Sequence, residues 1–173
     1  MKTPTPIPYN FRQKAMDLHE DVNHSYAGYN YILHLDAVNA VKNEFEELYD
    51  FEVSENSIYK AVYYHDTLED CNITYNQLKS WIGEIAAEIV YAVTNNKGRT
   101  RAERANADYY LNIRKTPGAT FVKMCDRIAN VRFSRMMGSS MYEKYKDEND
   151  HFMVAVGADQ YPEMKECLIN LFK

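Results

Sequence analysis

At 173 residues and 46% hydrophobic content the chain is long enough to bury a real core, and one domain is the expected count. A net charge of −5 argues against a surface built to track duplex nucleic acid, so any phosphate-bearing ligand is expected to be small. Three cysteines, Cys71, Cys125 and Cys167, fall at unrelated spacings, which gives no disulfide framework and points to a reducing, cytoplasmic setting.

Taken in chain order, Met1 to Pro8 alternates prolines where a secretory signal would need an apolar run, and reads as an extended arm. No later stretch approaches a membrane span, so no membrane partner is expected. After Pro8 the next proline is Pro117 and the last is Pro162; the long gap is filled with Ala, Leu, Glu, Lys and Tyr, which favours helices. Helices are expected at 9–22, 31–48, 55–69, 74–82, 84–94, 101–114, 118–136, 139–147, 148–156 and 161–172, with Gly28, Gly83, Gly98, Gly118, Gly138 and Gly157 as joints. Thr74-x-x-Gln77 has the form of a capping box, and Pro162 suits a first helical turn. There is no alternating strand series, so residues 1–173 are expected to form a single all-α domain.

The apolar faces of three helices end in polar groups. Val38, Val41, Phe45 and Leu48 follow the 3/4 spacing of an inward stripe, and its backward extension lands on His34. Ile58, Ala61 and Val62 make the next stripe, continued by His65, Asp66 and Glu69. In the helix after Gly118, Val122, Ala129 and Phe133 share a face with Asp126, and Asn130 stands one turn further on. One such residue alone is explained by a hydrogen-bonded core histidine or a salt-bridged aspartate. Two imidazoles and two carboxylates from separate helices form a mixed N/O set suited to one divalent transition metal, with zinc, manganese and iron all compatible.

The order His34, His65-Asp66, Asp126 resembles the H…HD…D signature of the HD-domain metal-dependent phosphohydrolases. Within that superfamily, His65-Asp66-Thr67-Leu68-Glu69-Asp70, with Asn72-Ile73-Thr74, Ile82-Gly83 and Val93-Thr94, is similar to the hydrolase domain of RelA/SpoT-type alarmone enzymes. Tyr31-Ile32-Leu33-His34 matches that group's lead-in to the first ligand, His19 an earlier histidine, and Lys123-x-x-Asp126-Arg127-x-x-Asn130 its K-x-x-D-R-x-x-N segment. The resemblance runs from about residue 14 to 133. It implies an all-α HD fold in which His34, His65, Asp66 and Asp126 hold one Mn2+ ion, and Glu69 and Asp70 act as catalytic acids. The activity implied is hydrolysis of the 3′-pyrophosphate of (p)ppGpp by a hydrolase-only form. The alternatives are another nucleotide phosphatase, acting on 5′-deoxynucleotides, nucleoside triphosphates or NADPH, and a nucleotide-binding HD module without turnover.

Residue spacing supports those roles. On a helix Glu69 follows His65 and Asp70 follows Asp66 by four positions, so the acidic pair stands one turn from the ligands. Asn130 could read a base or ribose edge, or be a buried amide satisfied by backbone; Lys123 and Arg127 could neutralise phosphate or pair with Glu69 and Asp70. Lys97, Arg101 and Arg104 open a helix where acids would be preferred, which suits a phosphate clamp or a solvated face. Tyr29, Tyr109 and Tyr110 are stacking candidates. Alarmone hydrolases carry a guanine-packing arginine ahead of the Tyr-x-x-His glycine, where this chain has Asn23-His24-Ser25-Tyr26-Ala27-Gly28; base recognition would pass to His24 or Tyr26.

Overall fold

The structure is a computed structural model that describes residues 10–48, 53–95 and 99–173. The N-terminal arm expected over 1–8 lies outside the described residues. The fold is all-helical, as expected, with one short hairpin beside the site.

Helix α1 (Asn10–Asp21) leads into strands β1 (Ser25–Tyr26) and β2 (Tyr29–Asn30), paired antiparallel with Tyr26 opposite Tyr29. The sequence reading missed this hairpin because each strand is only two residues long, too short to show alternation. The reversal is made by Ala27 and Gly28, both in the left-handed region (φ 51° and 85°), as a two-residue hairpin loop requires. Helix α2 (Ile32–Glu44) then buries His34, Leu35, Val38 and Val41 along one stripe.

The helix expected over 55–69 breaks in two. Helix α3 (Glu55–Tyr64) begins at Ser54, whose hydroxyl accepts from Ser57 N at 3.2 Å, and stops at His65-Asp66; α4 is the single turn Thr67–Asp70. Side chains take over the last carbonyls of α3: His65 Nδ1 bonds Val62 O at 2.8 Å and the Thr67 hydroxyl donates to Tyr64 O at 2.7 Å. With those acceptors satisfied locally, the backbone can turn and present His65 and Asp66 together.

Helix α5 (Tyr75–Ile82) carries the expected Thr74/Gln77 capping box, and α6 (Glu84–Val93) follows directly through Gly83. The helix expected over 101–114 is also two, α7 (Arg101–Arg104) and α8 (Ala107–Lys115). Asn106 competes as an N-cap: its Oδ1 accepts from Tyr109 N at 3.0 Å and its Nδ2 donates to Glu103 O at 3.1 Å. Conversely, the two helices expected at 139–147 and 148–156 are one, α10 (Met141–Val156). Its polar middle, Asp147-Glu148-Asn149-Asp150, has no glycine or proline to stop it. A 3-10 turn (Ala158–Gln160) joins it to α11 (Pro162–Leu171), which starts on its proline.

Helix α9 (Ala119–Met136) is the axis of the molecule: α2, α3, α6, α8, α10 and α11 all pack on it. Leu35, Ile58, Ala61, Val62, Ile89, Phe121, Val122, Cys125 and Ile128 are fully buried between these helices. Gly118 opens α9 at φ 83°, where an added Cβ would stand 2.8 Å from Ile58 Cδ1 and 3.1 Å from Ile89 Cδ1, so glycine is needed for both conformation and space. The packing of α2, α3 and α9 brings His34, the α3–α4 break and Asp126 to one place.

Candidate metal centre and substrate cavity

His34 and His65 face each other with Nε2 atoms 3.2 Å apart. Asp66 Oδ2 lies 3.5 Å from His34 Nε2 and 2.9 Å from His65 Nε2. Asp126 Oδ1 lies 3.4 and 3.7 Å from the same two nitrogens. These separations, 2.9–3.7 Å, bracket the roughly 3.0–3.4 Å expected between donors sharing one ion at ~2.1 Å. The His65 Nδ1–H is committed to Val62 O at 2.8 Å, which leaves Nε2 as the lone pair facing the cluster. His34 Nδ1, by contrast, is buried with no hydrogen-bond partner among the described residues.

The electrostatics of the cluster call for a cation. Burial works against charge on His65, but Asp66 and Asp126 outweigh it and hold the imidazole up at about 10. His34 is raised as well, its burial overcome by hydrogen bonding to Asp126 and Asp66. Both aspartates are held well below the usual carboxylate range: burial opposes this, and it is overcome chiefly by His65 for Asp66 and by Lys123 for Asp126. Protons on the imidazoles thus supply the positive charge that a divalent ion would supply. Donor types, spacing and tautomer all fit such an ion.

Neighbouring groups orient the donors. The Tyr31 hydroxyl donates to Asp66 Oδ2, and its ring stacks against both His19 and His24, with centroids 4.1 and 4.0 Å away. Burial pushes the His19 imidazole down to about 4, so it is neutral there. Lys123 Nζ reaches Asp126 Oδ2 at 3.0 Å, and Asn130 Nδ2 donates to Oδ1. Lys123, Asp126 and Asn130 stand at i−3, i and i+4 on one face of α9.

A cavity of about 860 Å³ opens from this cluster, lined by His34, Asp66, Asp126 and Tyr31 at its inner end. Of the two acids singled out from the sequence, Glu69 lines the cavity and Asp70 does not. Asn95 grips the Glu69 carboxylate, its Nδ2 donating at 2.9 and 3.0 Å and its backbone N at 3.3 Å. Asp70 points to His24, with Oδ2 3.8 Å from Nδ1. His24 itself is outside the cavity lining.

Lys123, Arg127, Asn130 and Arg104 do line the cavity, together with Tyr109 and Tyr110. Arg127 is buried, its guanidinium 4.1 Å from the Phe152 ring centroid and 4.7 Å from that of Tyr145, with Glu148 at 3.5 Å. Tyr29 is exposed on the hairpin, away from the lining. Lys97 and the side chain of Arg101 lie outside the described residues. Sequence reasoning did not single out Asn95, Arg114, Tyr145, Glu148, His151 or Phe152, which also line the cavity. No local pattern marks those on α8 and α10; Asn95 stands next to the Val93-Thr94 motif and could have been flagged by that adjacency.

Fold and cluster together define an all-helical domain with a candidate His/Asp metal site. Its sequence relatives are enzymes named for one reaction. A guanosine-3′,5′-bis(diphosphate) 3′-pyrophosphohydrolase, MESH1 of Danio rerio, is 32% identical over 81 residues, 47% of this chain and 45% of that protein. MESH1 of Homo sapiens is 29% identical over 75 residues, 43% and 42% of the two chains. The guanosine-3′,5′-bis(diphosphate) 3′-pyrophosphohydrolase of Aquifex aeolicus (strain VF5) is 34% identical over 76 residues, 42% of this chain and 11% of that one. The matched region therefore spans less than half the length of these curated relatives. The solved structure of a metazoan ortholog of SpoT, described as hydrolysing ppGpp and playing a role in starvation responses, superposes with a TM-score of 0.73. It is 17% identical and is covered over 97% of its length by 99% of this chain, so the likeness is one of whole fold. No family model matches the chain. Among the described residues no helix is long and apolar enough to cross a membrane.

Proposed function

We propose that the chain is a metal-dependent phosphohydrolase of small nucleotides, with the 3′-pyrophosphate of guanosine-3′,5′-bis(diphosphate) as its leading substrate and Mn2+ as the ion. The observation that carries this reading is the His34, His65, Asp66 and Asp126 cluster, of which His34, Asp66 and Asp126 line a cavity also lined by Glu69 and several cations. The names of the sequence relatives supply the substrate. Three free cysteines fit a reducing, cytoplasmic setting.

The four cluster residues would hold the ion, which when bound lowers the pKa of a water and offsets charge on phosphoryl oxygens. Glu69, held by Asn95 at the cavity edge, accepts the proton of the attacking water. Asp70, turned towards His24, stays out of direct proton transfer and contributes negative charge beside Asp66. Arg127, fixed by Tyr145, Phe152 and Glu148, and Arg104 receive phosphate oxygens. Lys123 keeps Asp126 ionised, and Tyr145 offers an aromatic face to the nucleoside.

The test is metal analysis of the purified protein, then an Mn2+-supplemented panel of ppGpp, deoxynucleotides, nucleoside triphosphates and NADPH, scored for pyrophosphate against orthophosphate. Pyrophosphate release from ppGpp is expected. His65→Ala should lose metal and turnover together, whereas Glu69→Gln should keep the metal and lose at least about 100-fold in kcat. No metal and no turnover across the panel would sink the enzyme reading, and full activity in Glu69→Gln would remove Glu69 from its role.

A further inference from the structure

Tyr26 sits on the hairpin, half-buried, with its ring over the imidazole of His34 at 4.7 Å and against Phe133 at 4.4 Å. Its hydroxyl reaches across to α9 and donates to Asn130 Oδ1 at 2.7 Å. Asn130 Nδ2 in turn donates to Asp126 Oδ1, the oxygen that faces His34 and His65. The direction of this chain is set by chemistry. An ionised carboxylate only accepts, so the amide must turn its NH2 to Asp126; its carbonyl then faces the phenol, which alone can donate to it. Without the phenol the amide is tethered only at its Asp126 end, so the side chain can swing on that single bond and Asp126 Oδ1 loses a fixed partner holding it towards the two imidazoles.

We propose that Tyr26 is a positioning residue of the metal centre, holding Asp126 Oδ1 towards His34 and His65 through Asn130. The inference rests on the metal-binding part of the proposed function and is independent of the substrate. It also engages both ends of the Asn130 amide within the protein, so that Asn130 serves the ion before it serves a nucleotide. Asn130, one hydrogen bond removed from the ligand, is a partner of the kind that typically carries about 10–100-fold of metal affinity, and Tyr26, one bond further out, acts through it.

The experiment is a Mn2+ titration in which electron paramagnetic resonance counts the free ion, with no substrate present. Tyr26→Phe keeps the ring and its packing and removes only the donor; Mn2+ affinity should fall about 10-fold, the lower end of that range. Tyr29→Phe, on the other hairpin strand and exposed, should bind as wild type does. Asn130→Ala should fall by a similar factor, and adding Tyr26→Phe to it should weaken binding no further, since both act along one route. Unchanged affinity in Tyr26→Phe overturns the inference, and so does a double variant weaker by the product of the two single effects. A wild-type chain that binds no Mn2+ overturns it together with the metal reading. If the affinity pattern holds and ppGpp is not hydrolysed, the positioning role stands and the hydrolase reading falls. If ppGpp is hydrolysed while Mn2+ affinity is insensitive to Tyr26→Phe, the hydrolase reading stands and the positioning role falls.

Discussion

Asp70 shares a turn of backbone with Asp66 yet meets a different environment. Burial first, then the negative charges of Asp66 and Glu69, push its carboxyl up to about 6 from the ordinary 3.8. A carboxyl whose folded pKa is raised takes up protons more readily folded than unfolded. It therefore costs stability above about pH 6, and the cost fades as pH falls towards 4. In metal-free protein, Asp70→Asn should be more stable than wild type at about pH 7.5, and the two should converge below about pH 4. Urea midpoints across that range would show it; a constant difference would mean that lost contacts, not the partly desolvated charge, set the effect. Glu69 was legible as its companion only because both follow the His-Asp pair by four residues. The backbone break at Asp66 sends Glu69 to the cavity and Asp70 to His24, and that separation depends on φ and ψ, not on spacing.

Element boundaries followed local competition for hydrogen bonds. The capping box at Thr74 and the proline at the head of α11 were readable because each acts within one turn. The breaks at His65-Asp66 and at Asn106 were not, since His, Asp and Asn fit a helical pattern in composition. They leave it only when their side chains take a neighbouring backbone group. Gly118 is the joint on which α9, and with it Asp126, depends. Gly118→Ala should cost about 2–4 kcal/mol, from the left-handed backbone together with overpacking against Ile58 and Ile89. The loss should appear as a lower thermal midpoint with Mn2+ binding retained at low temperature. An unchanged midpoint would show that α3 and α6 can give way there.

Across the whole molecule, the proposed ligands come from segments that meet only after folding, so on that proposal a bound ion should act as a brace. Mn2+ at about 100 times its dissociation constant should add about 2.7 kcal/mol, which for a domain of this size raises the thermal midpoint by about 5–11 °C. Scans with Mn2+ and with EDTA would read this, and His65→Ala should show no such difference. The sequence by itself determined the all-helical class, because long proline-free, strand-poor stretches leave few other choices. It also determined which polar residues interrupt apolar stripes, because periodicity is a property of the chain alone. Only the tertiary structure decided that His34, His65, Asp66 and Asp126 converge, with donor atoms no more than 3.7 Å apart between either imidazole and either carboxylate, and that Glu69 alone of the two acids enters the cavity. It alone set Tyr26 on Asn130 and Asn95 on Glu69, partners more than a helix away in sequence. Distances between helices are set by side-chain packing around α9, and no spacing along one helix encodes them.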